Sequence, residues 1–511
     1  MSVESRAPLR LRGLAIVGAA LLAGCANTLE YAPASASRAW TPPPVPPDWR
    51  ELAIQGPVAS SSAYSLEAPA EPAADRVYDL PALIDLAQRN NPATRIAWGQ
   101  ARQAAAARGI AEATYLPVLS TQVIGGYLST NRRLPDVLNQ EVRVDSSISG
   151  VVPILSLEWL LFDFGRRTAA NDAARNVSIG ANFMFNAMHQ KLVYDVTRTY
   201  YEYGAARQRS QIAKESLRNS LAVEDAVKAR SKAGLATSVE TAQARQLVAQ
   251  ARLRQVTSTG LERNAYQALV DRLGVPPDTR MRIADSASVP MPTPDARGQG
   301  ALLQRALAQR PDIMASIAAL KAAENGVALA EADFMPKVYL AGFLLGGRNE
   351  LSIGPVSGLS NRAVSRGILM GVSLPLYDGG MRSSRVHDAQ ARVKVAQATL
   401  EQLRNATLSE IVVASNLLET ALESYDAAET LVSTTELTYD AALDAYKIGM
   451  GTVTVATEAA NGLLMARSAH AEAHAGAQIA AASLAFALGK LNSQHAPPDS
   501  PKTNAVPDRG P

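Results

Sequence analysis

The sequence predicts a mainly α-helical protein that also carries membrane-type β-strands, arranged as two copies of one unit. Three observations predict this fold class. Long stretches lack proline, the same short landmarks recur at a nearly constant offset, and each copy holds one segment in which apolar residues alternate with small or polar ones. Together they predict long helical hairpins joined to two strand pairs per chain.

The repeat is visible in five pairs of landmarks. At an offset of 219 residues, Asn91-Pro92 matches Arg310-Pro311 and Leu116-Pro117 matches Met335-Pro336. At an offset of 215 residues, "FDFG" (162–165) matches "YDGG" (377–380), "KAGLAT" (232–237) matches "KIGMGT" (447–452), and Leu273-Gly274 matches Leu488-Gly489. We therefore predict a first repeat over residues 77–275, a second repeat over 301–491, and a linker rich in Pro and Gly over 276–300.

The longest predicted helix covers residues 166–233, where about 68 residues contain no proline. Apolar residues recur there at a mean step of about 3.7, close to the helical period. A helix of this length would extend about 100 Å at 1.5 Å per residue. Residues 381–448 match it in length, so we expect each repeat to leave its strands through one long helix, to reverse at a glycine and to return through a second helix.

The strand pairs are predicted at about residues 117–163 and 336–378. In the second pair, apolar residues alternate with small or polar ones at a period of two; the two faces hold Ile368, Met370, Val372, Leu374 and Leu376 against Leu369, Gly371, Ser373 and Pro375. The pattern in the first pair is weaker. Four strands are too few to close a barrel, so closure requires several chains.

The only cysteine of the chain, Cys25, follows a short apolar segment that is preceded by three arginines. That segment is too short to cross a bilayer, which needs about 20 apolar residues, and is typical of an export signal over residues 1–24. The stretch "LAGC" resembles the lipobox of bacterial lipoproteins, which implies that Cys25 is acylated and begins the mature chain. An ordinary cleavage site beside a chance cysteine is the alternative. By this resemblance, an aspartate directly after the cysteine would imply retention in the inner membrane. This chain has Ala26 at that position, which favours the outer membrane.

Residues 25–76 are rich in Pro, Ala and Ser and include "TPPPVPPDWR". Such a composition forms neither helix nor central strand, so we expect an extended tether between the lipid and the folded body. The last residues, 492–511, are predicted to be a disordered tail.

Composition excludes several classes of function. The formal net charge is +3, which gives no reason to expect nucleic-acid binding. No segment after the signal approaches 18 consecutive apolar residues, which argues against membrane helices in the mature chain. His470 and His474 have the i, i+4 spacing of a metal pair, but no third ligand is evident. We therefore predict no metal, no cofactor and no enzymatic activity.

The doubled landmarks resemble those of the TolC-type outer-membrane efflux and secretion ducts. The resemblance covers about residues 77–491, and the lipobox points to the lipoprotein branch. It implies a homotrimer with one twelve-stranded barrel in the outer membrane and one tube of helices across the periplasm. It also implies a periplasmic adaptor protein and an inner-membrane pump as partners, outer-membrane lipid around the barrel, and a passive exit route for small molecules such as drugs.

The resemblance places the two Gly-bearing turns at the periplasmic end, where they close an iris and dock the adaptor. It makes Gly234, Thr237, Gly449 and Thr452 the expected adaptor contacts. Glycine suits such a turn because a tight reversal needs a positive φ without a Cβ clash. A turn glycine without any partner role is the alternative.

The family's periplasmic gate maps onto three residues of this chain. A tyrosine before the second turn, Tyr446, would pair with an acid after the first turn, Glu240. An arginine that often reinforces this lock falls on Gly451, which predicts a looser closure. Two acidic positions after the second turn fall on Val455 and Glu458, so Glu458 alone is predicted to form a ring of three carboxylates at the entrance. An ordinary surface acid is the alternative for Glu458.

Three other functions remain open on the sequence. The first is the outer-membrane duct of type I protein secretion, because the pump and adaptor choose the cargo. The second is a periplasmic coiled-coil structural or adaptor lipoprotein, which would leave the strand pairs unexplained. The third is a lipoprotein hydrolase, which the absence of a recognisable catalytic site disfavours.

Overall fold

The computed structural model of the chain describes residues 32–41, 72–73, 75–134, 142–292, 307–353 and 356–491. Within these residues the chain alternates between helices and strands as the repeat requires. The elements in chain order are β1 (Val77–Tyr78), α1 (Leu80–Asn90), α2 (Pro92–Ala113), β2 (Val118–Leu134), β3 (Val142–Phe162), α3 (Arg166–Lys232), α4 (Ser238–Leu273), β4 (Arg282–Ile283), a 3₁₀ turn (Ser286–Ser288), α5 (Pro311–Ala332), β5 (Lys337–Ile353), β6 (Val356–Ser373), α6 (Met381–Lys447) and α7 (Val453–Ala487).

The chain divides into two compact units. The strand unit contains Gln103–Ile179 and Ile317–Ala398, and the helical unit contains Ala32–Arg102, Gly180–Ser316 and the chain from Thr399 onward. Each unit draws on both repeats. The fold class predicted from the sequence, long helical hairpins with four strands per chain in a two-fold repeat, is confirmed.

The strand unit is built on one antiparallel sheet with the strand order β2-β3-β5-β6. The strands begin directly after Pro117 and Pro336, as predicted. The last strand ends at Ser373, earlier than the predicted boundary near Asp378. Proline has no N–H to donate to a strand ladder, so Pro375 ends the pairing. The predicted strand positions Leu374 and Leu376 therefore lie outside the sheet.

The sheet has one apolar and one more polar face. Across the four strands, one row contains Leu119, Leu157, Gly342 and Ile368, and the next row contains Ser120, Ser156, Phe343 and Gly367. The Ser120 and Ser156 hydroxyls lie 2.6 Å apart. Because strand side chains alternate between faces, these adjacent rows point in opposite directions. Among the described residues, β2 and β6 each have one edge without a partner strand.

The helical unit brings the two ends of each repeat together. Gly274 and Gly489 end the return helices with a φ of 70°. A Cβ on Gly274 would lie 2.8 Å from the Asn91 Cα, and a Cβ on Gly489 would lie 3.2 Å from the Arg310 backbone nitrogen. The Asn-Pro and Arg-Pro landmarks therefore face the Leu-Gly landmarks, and close backbone approach is the reason that both return helices end in glycine.

The two long helices, α3 and α6, have 67 residues each, which agrees with the predicted equal length. The main core of the helical unit gathers α1, α3, α4 and the linker; its fully buried side chains include Leu83, Val196, Leu269 and Leu273. In the described part of the linker, β4 pairs in parallel with β1. The Arg207 guanidinium donates to the Ile283 carbonyl over 3.2 Å. The linker is therefore packed against the helices.

Part of the predicted tether is also docked. The Trp40 N–H donates to the Asn186 side chain over 2.7 Å, and the Asn186 side chain donates back to the Trp40 carbonyl over 2.7 Å. The Trp98 indole donates to the Pro33 carbonyl over 2.8 Å. Residues 32–41 are thus bound to α2 and α3, so this stretch of the predicted tether lies against the folded body. Residues 1–24, Cys25 and residues 492–511 lie outside the described residues.

One helix of the described chain, α5, is long and apolar enough to cross a membrane on length and composition alone. No membrane helix is predicted from the sequence after the signal, because no uninterrupted apolar run approaches 18 residues there. The first residue of this helix follows Arg310, whose guanidinium pairs with Asp312 over 2.7 Å. Since α5 occupies the position of α2 in the second repeat, we interpret it as a helix of the hairpin architecture.

Candidate functional site

The first hairpin turn joins α3 to α4 through a glycine. Gly234 has a φ of 71°, and the Leu235 N–H donates to the Arg230 carbonyl over 2.8 Å. This is the Schellman arrangement, in which a left-handed residue ends the helix. The next helix starts with a capping box: the Thr237 hydroxyl accepts from the Glu240 N–H over 3.2 Å, and the Glu240 carboxylate accepts from the Thr237 N–H over 2.6 Å.

The second turn repeats the first with a weaker cap. Gly449 has a φ of 86°, and the Met450 N–H donates to the Ala445 carbonyl over 2.9 Å. The Thr452 hydroxyl accepts from the Val455 N–H over 3.4 Å. Valine has no side-chain acceptor, so it cannot return the bond as Glu240 does. The predicted turn residues therefore have clear structural roles in both repeats.

A small core lies beneath the two turns and combines all four long helices. Tyr446 is completely buried there and packs with Val223 and Val227 from α3, Ala244 and Leu247 from α4, and Val453 and Ala456 from α7. The side chain of Tyr446 joins the second hairpin to the first. The turns are therefore supported as one body within each chain.

Arg230, which was not among the predicted site residues, makes the polar contacts between the two turns. The Arg230 guanidinium donates to the Tyr446 carbonyl over 3.1 Å and to the Leu235 carbonyl over 3.4 Å. Its carbon lies 5.1 Å from the centre of the Tyr446 ring. A Cβ on Gly449 would lie 3.0 Å from the guanidinium, so glycine leaves room for this contact. A basic residue in the last helical turn was the available signal, because cations favour helix C-termini.

The predicted hydrogen bond between Tyr446 and Glu240 is not formed in this chain. The Tyr446 hydroxyl is buried without a hydrogen-bond partner, and the Glu240 carboxylate is held by Thr237. Burial raises the pKa of Tyr446, the Glu240 charge adds to the rise, and Arg230 opposes it. Within the chain the capping box holds the Glu240 carboxylate, and its pairing with Tyr446 stays a prediction. Arg230 supplies a contact with Tyr446 that Gly451, which has no side chain, does not make.

The surface of the turns is apolar as well as exposed. Gly234, Thr237, Gly449 and Thr452 are all exposed. Beside them, Leu235 is 65% exposed, Ile448 72% and Met450 82%. Large apolar side chains at the end of a hairpin, with no packing partner in their own chain, are typical of a protein contact surface. Glu458 is exposed on α7, three residues after the exposed Val455.

His470 and His474, the two histidines with the spacing of a metal pair, have packing partners. His474 is buried, with its Nε2 3.1 Å from the Val289 carbonyl. The rings of His470 and His474 lie 4.9 Å and 5.9 Å from the Tyr425 ring. Within the described residues, no group of three or more His, Cys, Asp or Glu side chains could hold a metal. Both histidines are thus used in holding α6, α7 and the linker.

The junctions from strand to helix carry an Asp–Arg ion pair in both repeats, of which only the aspartate belongs to the sequence landmarks. The landmarks "FDFG" and "YDGG" are each followed by an arginine at the fourth position after the aspartate. Arg167 pairs with Asp163 over 3.1 Å, and Arg382 pairs with Asp378 over 2.6 Å. Arg167 also donates to the Leu160 carbonyl over 2.6 Å. The ion pair therefore secures the first turn of each long helix to the end of the preceding strand region.

Comparison with known proteins gives the class of the chain. The family model described as outer membrane efflux protein matches residues 83–275 and 302–490. Protein CyaE of Bordetella pertussis is 31% identical over 454 residues, covering 88% of this chain and 93% of that protein. Outer membrane protein OprJ of Pseudomonas aeruginosa is 27% identical over 381 residues, covering 73% and 76%.

A solved relative has the same fold. The cation efflux system protein CusC of Escherichia coli K12 is 24% identical over 420 residues, covering 80% of this chain and 85% of that protein. A crystal structure of CusC superposes with a TM-score of 0.68 at 22% identity, covering 82% of this chain and 95% of that chain. The protein is thus an outer-membrane channel by class. It belongs to the outer membrane efflux protein family.

Proposed function

We propose that three copies of this chain form a passive exit duct across the outer membrane and the periplasm, as the outer-membrane component of a tripartite efflux system. The observation that carries the proposal is the four-stranded sheet with one apolar face, whose outer strands β2 and β6 lack partners within the described residues. In a bilayer every backbone N–H and C=O needs a partner, so such a sheet must continue into another. Three sheets of four strands supply a barrel of twelve.

The cargo we propose is a small solute delivered by an inner-membrane pump. The family model is named for efflux, and CusC is named for cation efflux. The duct needs no catalytic residue, because the pump does the work. Protein secretion uses the same architecture, and the nature of the cargo distinguishes the two functions.

The hairpin turns are the proposed meeting point with the periplasmic adaptor protein. Leu235, Ile448 and Met450 give the turns an apolar surface, and Gly234, Thr237, Gly449 and Thr452 shape them. The gate would be the core that contains Tyr446 and Arg230, with Glu458 lining the entrance. Disulfide cross-linking from a cysteine at position 450 to a coexpressed adaptor tests the surface; cross-links from a cysteine at the exposed position 253 on α4 but none from position 450 would contradict it.

Lipid anchoring at Cys25 completes the proposal. Cys25 precedes Ala32, where the described chain begins, by seven residues, a reach of at most about 25 Å. The docked stretch 32–41 would therefore keep the acyl chains close to one point on the body. Labelling cells with a clickable fatty acid should mark wild type and leave Cys25→Ser unlabelled; equal labelling of both would contradict acylation at this residue.

The transport proposal is tested in cells that lack the gene for this chain. We expect them to accumulate a fluorescent small-molecule pump substrate, and we expect reintroduced wild type to restore the low level. The protein content of the medium is measured in the same cultures. Normal dye efflux together with the loss of a secreted protein would replace efflux by secretion.

A further inference from the structure

The junction between β3 and α3 holds a backbone feature that the second repeat avoids. Phe164 has a φ of 51° and is the only non-glycine residue with positive φ among the described residues. The position 215 residues later is Gly379, with a φ of 66°. A side chain is strained in the left-handed region, whereas glycine is not. The first repeat therefore has an aromatic side chain at a position where the second repeat has a glycine.

The ring of Phe164 extends the apolar face of the sheet. Its centre lies 4.6 Å from that of Phe162, and the two side chains are 48% and 53% exposed. A register shift after Leu160 places Phe162 opposite Val338. Val338 lies two residues before Leu340, which pairs with Trp159 on the apolar face. A bulge re-aims side chains in this way, so the aromatic pair continues that face beyond the end of the strand.

An excess of positive charge adjoins the aromatic pair along the chain, since Arg166 follows Phe164 by two residues and Lys337 directly precedes Val338, the strand partner of Phe162. The carboxylate of Asp333 is 2.7 Å from Arg166, 3.6 Å from Lys337 and 3.6 Å from Arg385. Burial alone would raise the pKa of Asp333, but the three cations outweigh it and lower the pKa. One carboxylate among three cations leaves two positive charges. The neighbouring Asp163 and Asp378 do not offset them, because each is paired with its own arginine.

We propose that this junction binds an anionic phospholipid. Arg166, Lys337 and Arg385 would hold the phosphate, and Phe162 and Phe164 would lie against the first part of the acyl chains. Aromatic side chains prefer the membrane interface, and clustered cations attract anionic lipid. A free phosphate ion has no apolar part that could pack against the two aromatic rings. The inference rests on the proposed function. In the proposed duct, the long helices leave the strands on the periplasmic side, so these strand ends would face the periplasmic leaflet.

Thermal unfolding of the purified protein in a nonionic detergent tests the site. Phosphatidylglycerol or phosphatidylcholine is added at equal mole fraction, and a bound ligand raises the unfolding temperature. We expect phosphatidylglycerol to raise the unfolding temperature of wild type clearly more than phosphatidylcholine does. The excess shift should fall by at least half in Arg385→Gln and in Phe164→Gly. It should persist in the control Arg392→Gln, whose arginine forms an exposed pair with Asp388 over 2.9 Å on the same helix.

Several outcomes would overturn the lipid assignment. An equal excess shift in wild type, Arg385→Gln and Phe164→Gly would remove the site, and an equal shift with sodium phosphate alone would remove the role of the rings. Without lipid, Phe164→Gly should not lower the unfolding temperature, because glycine relieves the left-handed backbone. A fall there, with loss of oligomer, would assign the rings to a contact between copies. Bilayer conductance of each variant separates this result from a failure of the duct proposal.

Discussion

The contact of Arg230 with Tyr446 leads to a prediction that separates two accounts of gate closure. The Arg230 guanidinium donates to the Tyr446 carbonyl over 3.1 Å and lies 5.1 Å from its ring centre. A hydrogen bond from a charged donor contributes about 1.5–3 kcal/mol, and a cation over a ring adds about 0.5–2 kcal/mol. The Tyr446 hydroxyl has no hydrogen-bond partner, so removing it should cost little.

We therefore expect Arg230→Gln to weaken the contact between the hairpins by about 2 kcal/mol, roughly a 30-fold shift towards the open state. Tyr446→Phe should change the open fraction by less than about threefold, because a shift of 0.6 kcal/mol corresponds to that factor. Arg230→Lys keeps the charge but loses the planar fork, so an intermediate effect is expected.

Single-channel recording in planar bilayers measures the open fraction of each variant at one voltage and salt concentration. A large opening effect of Tyr446→Phe with none from Arg230→Gln would show that the tyrosine hydroxyl, and not Arg230, holds the gate closed. A wild-type open fraction in all three variants would place the gate elsewhere. Circular dichroism of each variant controls for unfolding of the hairpins.

Three further predictions concern other parts of the helical unit. Burial lowers the pKa of His189 to about 4, so the unfolded chain binds more protons as the pH falls below about 6.5, and unfolding free energy should decrease by up to about 1.4 kcal/mol per pH unit between roughly pH 6 and 4; chemical denaturation should show a steeper slope in wild type than in His189→Gln, and an identical slope in both would contradict it. Thr237→Ala removes a complete capping box and should lower the unfolding free energy by about 1–2 kcal/mol, whereas Thr452→Ala should lower it by about 0.5–1 kcal/mol. Denaturant titration in detergent measures both losses, and a larger loss for Thr452→Ala than for Thr237→Ala would contradict this order. Glu458→Ala should lower cation preference in the reversal potential under a salt gradient, and unchanged selectivity would place the side chain outside the pore.

The features of the fold that could be predicted from the sequence are those that depend on a residue and its immediate neighbours in the chain. Gly234 and Gly449 were recognisable as turns because a positive φ favours glycine whatever surrounds it. The proline at the start of each strand pair, Pro117 and Pro336, marked the junctions for the same kind of reason. Equal spacing of these landmarks then gave the repeat and the equal helix lengths.

The parts that sequence could not predict depend on distant contacts. Arg230 meets Tyr446 across 216 residues of chain, and nothing in its own segment distinguishes it from other basic residues near a helix end. Trp40 forms a hydrogen bond with Asn186, which lies 146 residues further along the chain. The proline-rich segment that was predicted to be a tether is therefore docked over part of its length. The Glu240 carboxylate is held by its own capping box, a local contact that competes with any longer-range partner.

In the proposed duct, the open sheet of one chain is completed by other copies of the chain. The measurement that tests it most directly is the protein mass of the purified complex in several mild detergents, by light scattering with correction for bound detergent. We expect three times the mass of one mature chain, with a mainly helical circular dichroism spectrum. A monomer with the same spectrum in every detergent would contradict it, because strands β2 and β6 would then keep unpaired edges.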